Sequence, residues 1–206
     1  MKMWNKTGFL FFYFLAAGIL ISAPAWASDF KASGVSGKVT AVRDGETRVV
    51  AEGDALENGD RILTAEDSRL DVIKAGAWGY RLLASSESVI HADETKTEIE
   101  MPQGNVIFKV NPMQGRDLSV RTPVVVVAVR GTQFWGQVLP AGTSHNSTFA
   151  VREGDVEVTV VGSENKMMLQ AGQAIDVQGE SATAAAREAK PAELDAISQI
   201  EDLALE

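Results

Sequence analysis

Thr122-Pro123-Val124-Val125-Val126-Val127-Ala128-Val129-Arg130-Gly131-Thr132-Gln133-Phe134 is the stretch on which the fold turns. Pro123 fixes its own φ, gives up a backbone donor and pushes Thr122 towards an extended conformation, which suits the start of a strand. Val124 to Val129 is apolar on both faces, which predicts a central strand covered on both sides. Gly131 permits a bend or bulge directly after it. Arg130 follows six apolar residues, so its guanidinium belongs either at a sheet rim or buried beside a carboxylate or carbonyl. Beyond Arg130, alternation places Phe134, Gly136 and Val138 on one face and Gln133, Trp135 and Gln137 on the other.

The same period of two recurs on either side. Val106, Phe108 and Val110 oppose Ile107 and Lys109; Leu118, Val120 and Thr122 oppose Ser119 and Arg121. Val156, Val158 and Val160 oppose Glu157 and Thr159, and Ile175 with Val177 opposes Asp176. Turn chemistry punctuates these runs at Asp44-Gly45, Gly53-Asp54, Asn58-Gly59-Asp60, Gln103-Gly104-Asn105, Glu153-Gly154-Asp155, Gly162-Ser163 and Ala171-Gly172. Short strands with frequent turns predict an all-β, jelly-roll-like sandwich or roll of many short antiparallel strands over about 34–178. The pattern changes after Gln178. Pro191 suits a first helical turn, and Leu194, Ile197, Ile200 and Leu203 follow at spacings of three, so 179–206 reads as a linker and a short amphipathic C-terminal helix.

The N-terminus reads as an address. Lys2 and Lys6 precede an apolar run from Gly8 to Ser22, and Ala25-Trp26-Ala27 supplies small residues for a peptidase. The run is shorter than the roughly 18 residues of a membrane span. Residues 1–27 are therefore expected to be a signal peptide cut between Ala27 and Ser28, with an uncleaved anchor as the alternative. Absence of cysteine excludes lipidation at cysteine, disulfides, thiolate metal sites and cysteine nucleophiles together. The 206 residues carry 19 Lys+Arg against 28 Asp+Glu, a net charge of −9, which argues against nucleic acid and against docking on anionic membranes. The expected product is a periplasmic or secreted protein with no stable membrane insertion after cleavage.

Several segments together resemble the FecR domain family. The Thr122–Phe134 stretch is similar to its signature of Thr-Pro, a small apolar run, Arg-Gly-Thr and an aromatic. Gly59-Asp60-Arg61-Ile62-Leu63-Thr64, Gln103-Gly104-Asn105-Val106, Val151-Arg152-Glu153-Gly154-Asp155-Val156 and Leu169-Gln170-Ala171-Gly172-Gln173 resemble flanking elements in the same order, although Met101 and Pro102 replace the usual apolar lead-in. The resemblance implies a bacterial, exported, all-β module of jelly-roll type. In the namesake regulators this module lies in the periplasm, between a membrane helix and a receptor-contacting domain, and relays ferric-siderophore occupancy to a cytoplasmic sigma factor. Here few residues precede the apolar run and few follow Gly179, so the expectation is a stand-alone module without the anti-sigma and receptor-contacting domains. Thr122, Pro123, Arg130, Gly131, Thr132 and Phe134 carry the resemblance, and a structural role is expected for them.

No catalytic constellation emerges. His91 and His145 belong to no metal-spaced pair, and no nucleophile elbow is present. The acids between Asp44 and Asp71 alternate with Arg43, Arg48, Arg61 and Arg69, which reads as solvated turns with surface ion pairs. The reading is a non-enzyme with no catalytic residue, metal or cofactor. Trp78 and Tyr80, two apart beside Gly76 and Gly79, and Trp135 on its polar face form a candidate ligand surface. Two functions follow: an interaction module for an envelope protein in signalling or assembly, or a glycan- or cell-wall-binding module using those aromatics.

Overall fold

The computed structural model describes residues 30–112, 117–164, 166–179, 184 and 186–206, so the expected signal peptide lies outside the described residues. In chain order the strands are β1 (Phe30–Ser36), β2 (Val39–Arg43), β3 (Glu46–Val49), β4 (Ala55–Leu56), β5 (Arg61–Thr64), β6 (Arg69–Lys74), β7 (Trp78–Leu82) and β8 (Glu87–Ala92). β9 (Lys96–Val110), β10 (Asp117–Arg121), β11 (Val125–Ala141), β12 (Ser144–Val160), β13 (Lys166–Gln170), β14 (Gln173–Gln178) and β15 (Ala186–Glu188) follow, and α1 (Pro191–Ser198) is the single helix among the described residues. The all-β expectation with a short C-terminal helix holds.

Three strands are long, at 15, 17 and 17 residues, and they organise the fold. The first half of β9 pairs with β8 and β10, whereas its second half, from Gly104, pairs with β7 and β11. β11 changes partners at Arg130-Gly131-Thr132, where its register against β12 slips, and β12 passes from β14 to β13 across Glu153-Gly154-Asp155. One layer therefore runs β3-β2-β5-β8-β9-β10-β11-β12-β13 and the other β4-β1-β6-β7-β9-β11-β12-β14-β15, with the long strands folded across both. Gly104, Gly131 and Gly154 stand at the corners, with φ of 102°, 61° and 73°. Gln103-Gly104-Asn105 and Glu153-Gly154-Asp155, expected as turns, are thus bends within strands. The bulge expected at Gly131 is present.

These corners tolerate no side chain. A Cβ on Gly104 would lie 2.2 Å from Ser86 Oγ, and one on Gly154 would lie 2.5 Å from the Gly131 carbonyl oxygen. Gly104→Ala is expected to lower stability by at least about 1–3 kcal/mol from backbone strain, the clash adding to it. Urea titration checks this against Gly45→Asn. Gly45 also has positive φ, in the two-residue Asp44-Gly45 hairpin, but nothing lies within 4 Å of its Cβ position, so the loss there is smaller.

Two further differences from expectation have simple causes. β9 and β10 run parallel, because the chain crosses back from the second layer before lying beside the start of β9. Val124–Val129 is not covered on both sides: Val125, Val127 and Val129 enter the core, but Val126 is half-buried and Ala128 exposed on an open outer face. Strand halves covered on both faces occur instead around Ile107 and Trp135, beneath α1.

The layers enclose one aliphatic core from Ile62, Ile90, Ile99, Val120, Val127 and Val158 to Leu70, Val72 and Val138. A file of rings crosses it in the order Phe30, Trp78, Tyr80, Phe108, Phe134 and Phe149, with centroids 5.5, 6.3, 5.3, 4.9 and 6.5 Å apart. Tyr80 faces Phe108 and Phe108 faces Phe134 in register, so the middle of the file consists of cross-strand pairs. Gly136 leaves room for Phe149, whose ring carbon would lie 2.7 Å from a Cβ there.

Candidate functional site

The signature residues are distributed between core, corner and surface. Thr122 is buried; its Oγ1 accepts from the Val125 amide at 2.9 Å and lies 3.1 Å from Ser147 Oγ, closing the Thr-Pro turn onto β12. Pro123 is exposed, Thr132 is buried at the corner, and Phe134 sits within the ring file. Arg130 is exposed on the outer face, opposite Asp155 in register, so of its two expected settings it takes the exposed one. Five of the six residues thus shape a turn, a corner or the core, and Arg130 faces solvent.

The three aromatics do not form an open surface. Trp78 and Tyr80 do share a face, but it is the inner one, where they are 3% and 0% exposed. Tyr80's hydroxyl lies 3.2 Å from Ser88 Oγ, and burial pushes its pKa above the usual tyrosine range. Trp135 points outward and is half-buried beneath α1. His91 is an exposed strand histidine 2.9 Å from Glu100, and His145 stands at the β11–β12 hairpin tip. Among the described residues no group of three or more His, Asp or Glu is placed to hold a metal ion.

The acidic stretch also departs from expectation, since two of its members are interior. Asp60 is 0% exposed: it accepts from the Glu57 amide at 2.9 Å and from Arg48 at 2.7 Å, with Arg43 at 3.7 Å. Asp71, 6% exposed, takes a two-pronged contact from Arg81, both bonds at 2.7 Å. These acids pin strands together.

The most elaborated surface is the outer face of the second layer, where the C-terminal segment lies. Ile197, Ile200 and Leu203 pack on Ile73 and Ile107, with Leu83, Trp135, Leu194 and Leu205 around them. Gly79 makes this approach possible, because a Cβ there would lie 2.7 Å from a Leu203 methyl. Four cations ring the apolar floor. Arg81 donates to the Gln199 carbonyl and pairs with Asp202 at 3.0 Å. Lys109 donates to the carbonyls of Glu201 and Leu203 at 3.2 and 2.8 Å. Arg152 donates to the Ser198 hydroxyl and pairs with Glu201 at 2.8 Å. Arg187 joins Glu193 at 2.7 Å to Asp176 at 2.6 Å. Arg81 and Lys109 thereby hold the carbonyls of the chain at and just past the end of α1.

Sequence reasoning missed this ring of cations. Its trace is a break in alternation: Ile73, Ile107 and Trp135 are apolar on faces that should be wet, with Arg81 and Lys109 outward beside them. Elsewhere the outer sheet face is open. A shallow trough of about 510 Å³ lies across β10–β13, lined by Lys96, Ser119, Ala128, Arg130, Asp155 and Met168 among others.

The clamp at Arg187 gives a pH dependence. Arg187 holds the carboxyls of Glu193 and Asp176 below the ordinary range, so their stabilisation is present above the ordinary carboxylate pKa of about 4 and is lost as pH falls through the depressed values. Amides of α1 are expected to lose exchange protection before those of β9 and β11 as pH drops from 5 to 3.

Comparison with known proteins places this architecture. A family model described as FecR protein matches residues 60–157, from Asp60 to Glu157 on β12. Two crystal structures described as "a putative anti-sigma factor from Parabacteroides distasonis ATCC 8503", at 1.65 and 2.50 Å, share the fold with a TM-score of 0.55 and 21% identity. The alignment covers 68% of this chain and 64% of theirs, so this chain spans somewhat less than two thirds of their length. No curated protein matches in sequence. None of the helices among the described residues is long and apolar enough to cross a membrane. Residues 60–157, which include the Thr122–Phe134 signature, match the FecR family model.

Proposed function

We propose that this chain is an exported, non-catalytic interaction module that binds an envelope protein in a signalling or assembly context. The observation that carries the reading is the match of residues 60–157 to the FecR family, supported by an outer sheet face that holds an amphipathic helix, here the chain's own. The N-terminal sequence supports export: basic residues, a short apolar run and Ala25-Trp26-Ala27 stand in signal-peptide order. The bound neighbour is a protein in this reading because the face beneath α1 combines an apolar floor with a charged surround, the make-up of a protein interface.

The glycan reading loses its support, since two of its three aromatics lie in the core. Trp135→Ala is expected to lower the melting temperature by removing the floor beneath α1; an unchanged melt with loss of glycan binding would restore that reading. Capture from an envelope extract, run beside a glycan array, tests the proposal. Saturable retention of a discrete envelope protein with an empty array supports it. Retention of glycans with no protein overturns it.

A further inference from the structure

The seat of α1 is built like a receptor for a helix, and its present occupant is held by contacts that another helix could replace. The segment Lys190–Glu206 carries one lysine against five acids, in a motif of Leu194, Ile197, Ile200 and Leu203 at spacings of three. Its binding face is three buried aliphatics on Ile73, Ile107 and Trp135, and Arg81, Lys109 and Arg152 meet its backbone carbonyls and acids. The main-chain contacts, to the carbonyls of Gln199, Glu201 and Leu203, do not depend on these particular side chains. α1 itself has eight residues, too few to be stable alone in water. It has no base in its last turn, and Arg81 donates to the carbonyl of its C-cap residue Gln199, so the sheet supplies a cation that the helix lacks.

We infer that this face is a binding groove for an acidic amphipathic helix of a partner protein, and that the C-terminal segment occupies it in the free protein as a built-in competitor. The inference rests on the reading of the chain as a protein-binding module and names the partner's chemistry. Charge selects the occupant: the groove concentrates cations on a chain of net charge −9, so it attracts an acidic helix and disfavours a basic one. The tethered segment acts at high effective concentration, so a partner must out-compete it or bind when it is released.

The probe is a labelled synthetic peptide of residues 190–206, titrated by fluorescence anisotropy into the full chain and into the full chain carrying Ile197→Ser with Ile200→Ser. The released variant is expected to bind at least tenfold more tightly than the unaltered chain. A peptide with Glu201→Arg and Asp202→Arg is expected to bind at least tenfold more weakly, and salt should weaken the native peptide. In the unaltered chain, amides of residues 194–203 are expected to exchange at least a hundredfold faster than those of β9 and β11. Absence of peptide binding, equal binding by both proteins, or indifference to the charge reversal overturns the inference. So does exchange of the helix only with global unfolding, or loss of the β-sheet signal in the variant, either of which makes α1 part of the core. These outcomes leave the envelope-capture result standing, so the two readings fail separately.

Discussion

Phe134→Ala is expected to lower unfolding free energy by about 3–5 kcal/mol, the range for truncating a fully buried aromatic. Phe134 is wholly inaccessible, stacks on Phe108 with centroids 4.9 Å apart, and links the ring file to Phe149. Its removal opens a cavity between strands pinned by long pairings on both sides, so collapse is limited. For a domain of this size, 1 kcal/mol is worth roughly 2–4 °C, so the melting temperature should fall by about 6–20 °C. Phe134→Leu, which keeps most of the volume, should recover more than half of the loss. The pair also decides what the signature aromatic does. A ligand contact would tolerate truncation with an unchanged melt, whereas a core ring does not.

Arg81→Met is expected to cost a comparable amount, about 3–5 kcal/mol, by a different mechanism. Removing the guanidinium leaves Asp71 buried and unpaired and frees the Gln199 carbonyl and Asp202. Asp71's two-pronged contact holds the Arg81 proton more tightly than in a free arginine, so the guanidinium stays charged. The double variant Arg81→Met with Asp71→Leu should recover most of the loss, because replacing both members of a buried pair by apolar groups avoids the stranded charge. Arg81→Lys should fall between, since an ammonium cannot make the forked contact. Urea midpoints of the four proteins give the coupling directly. If Arg81→Met alone is neutral, the pair is decorative and the seat of α1 is not electrostatically built.

What was legible in the sequence was the alternation. Alternation puts Phe134, Gly136 and Val138 on one face, and that face enters the core. What was not legible was which glycines turn the chain and which bend it. Gly45 and Gly154 look alike in sequence, both flanked by acids and both at positive φ, yet one closes a hairpin and the other kinks a seventeen-residue strand. Only the partners of the neighbouring residues tell them apart. Trp78 and Tyr80 share a face, as alternation predicts, but period two does not say which face is inside. Gln133 and Gln137 flank Trp135 and make its face look polar. Trp135 does lie on that face, and α1 arrives from the far end of the chain to cover it. Asp60 and Asp71 were misplaced for a related reason. Their arginine partners, Arg48 and Arg81, are brought to them only by strand pairing, so nothing local marks them as buried.

A photo-cross-linking residue placed singly at Leu83, at the edge of the apolar floor beneath α1, and at Val49, 70% exposed on β3 of the opposite layer, and irradiated in intact cells asks where this protein does its work. The expected result is a discrete protein adduct from position 83 and none from position 49. No protein adduct from either position, with the purified chain retained on glycans, would contradict a module that acts through protein contact at the face α1 covers.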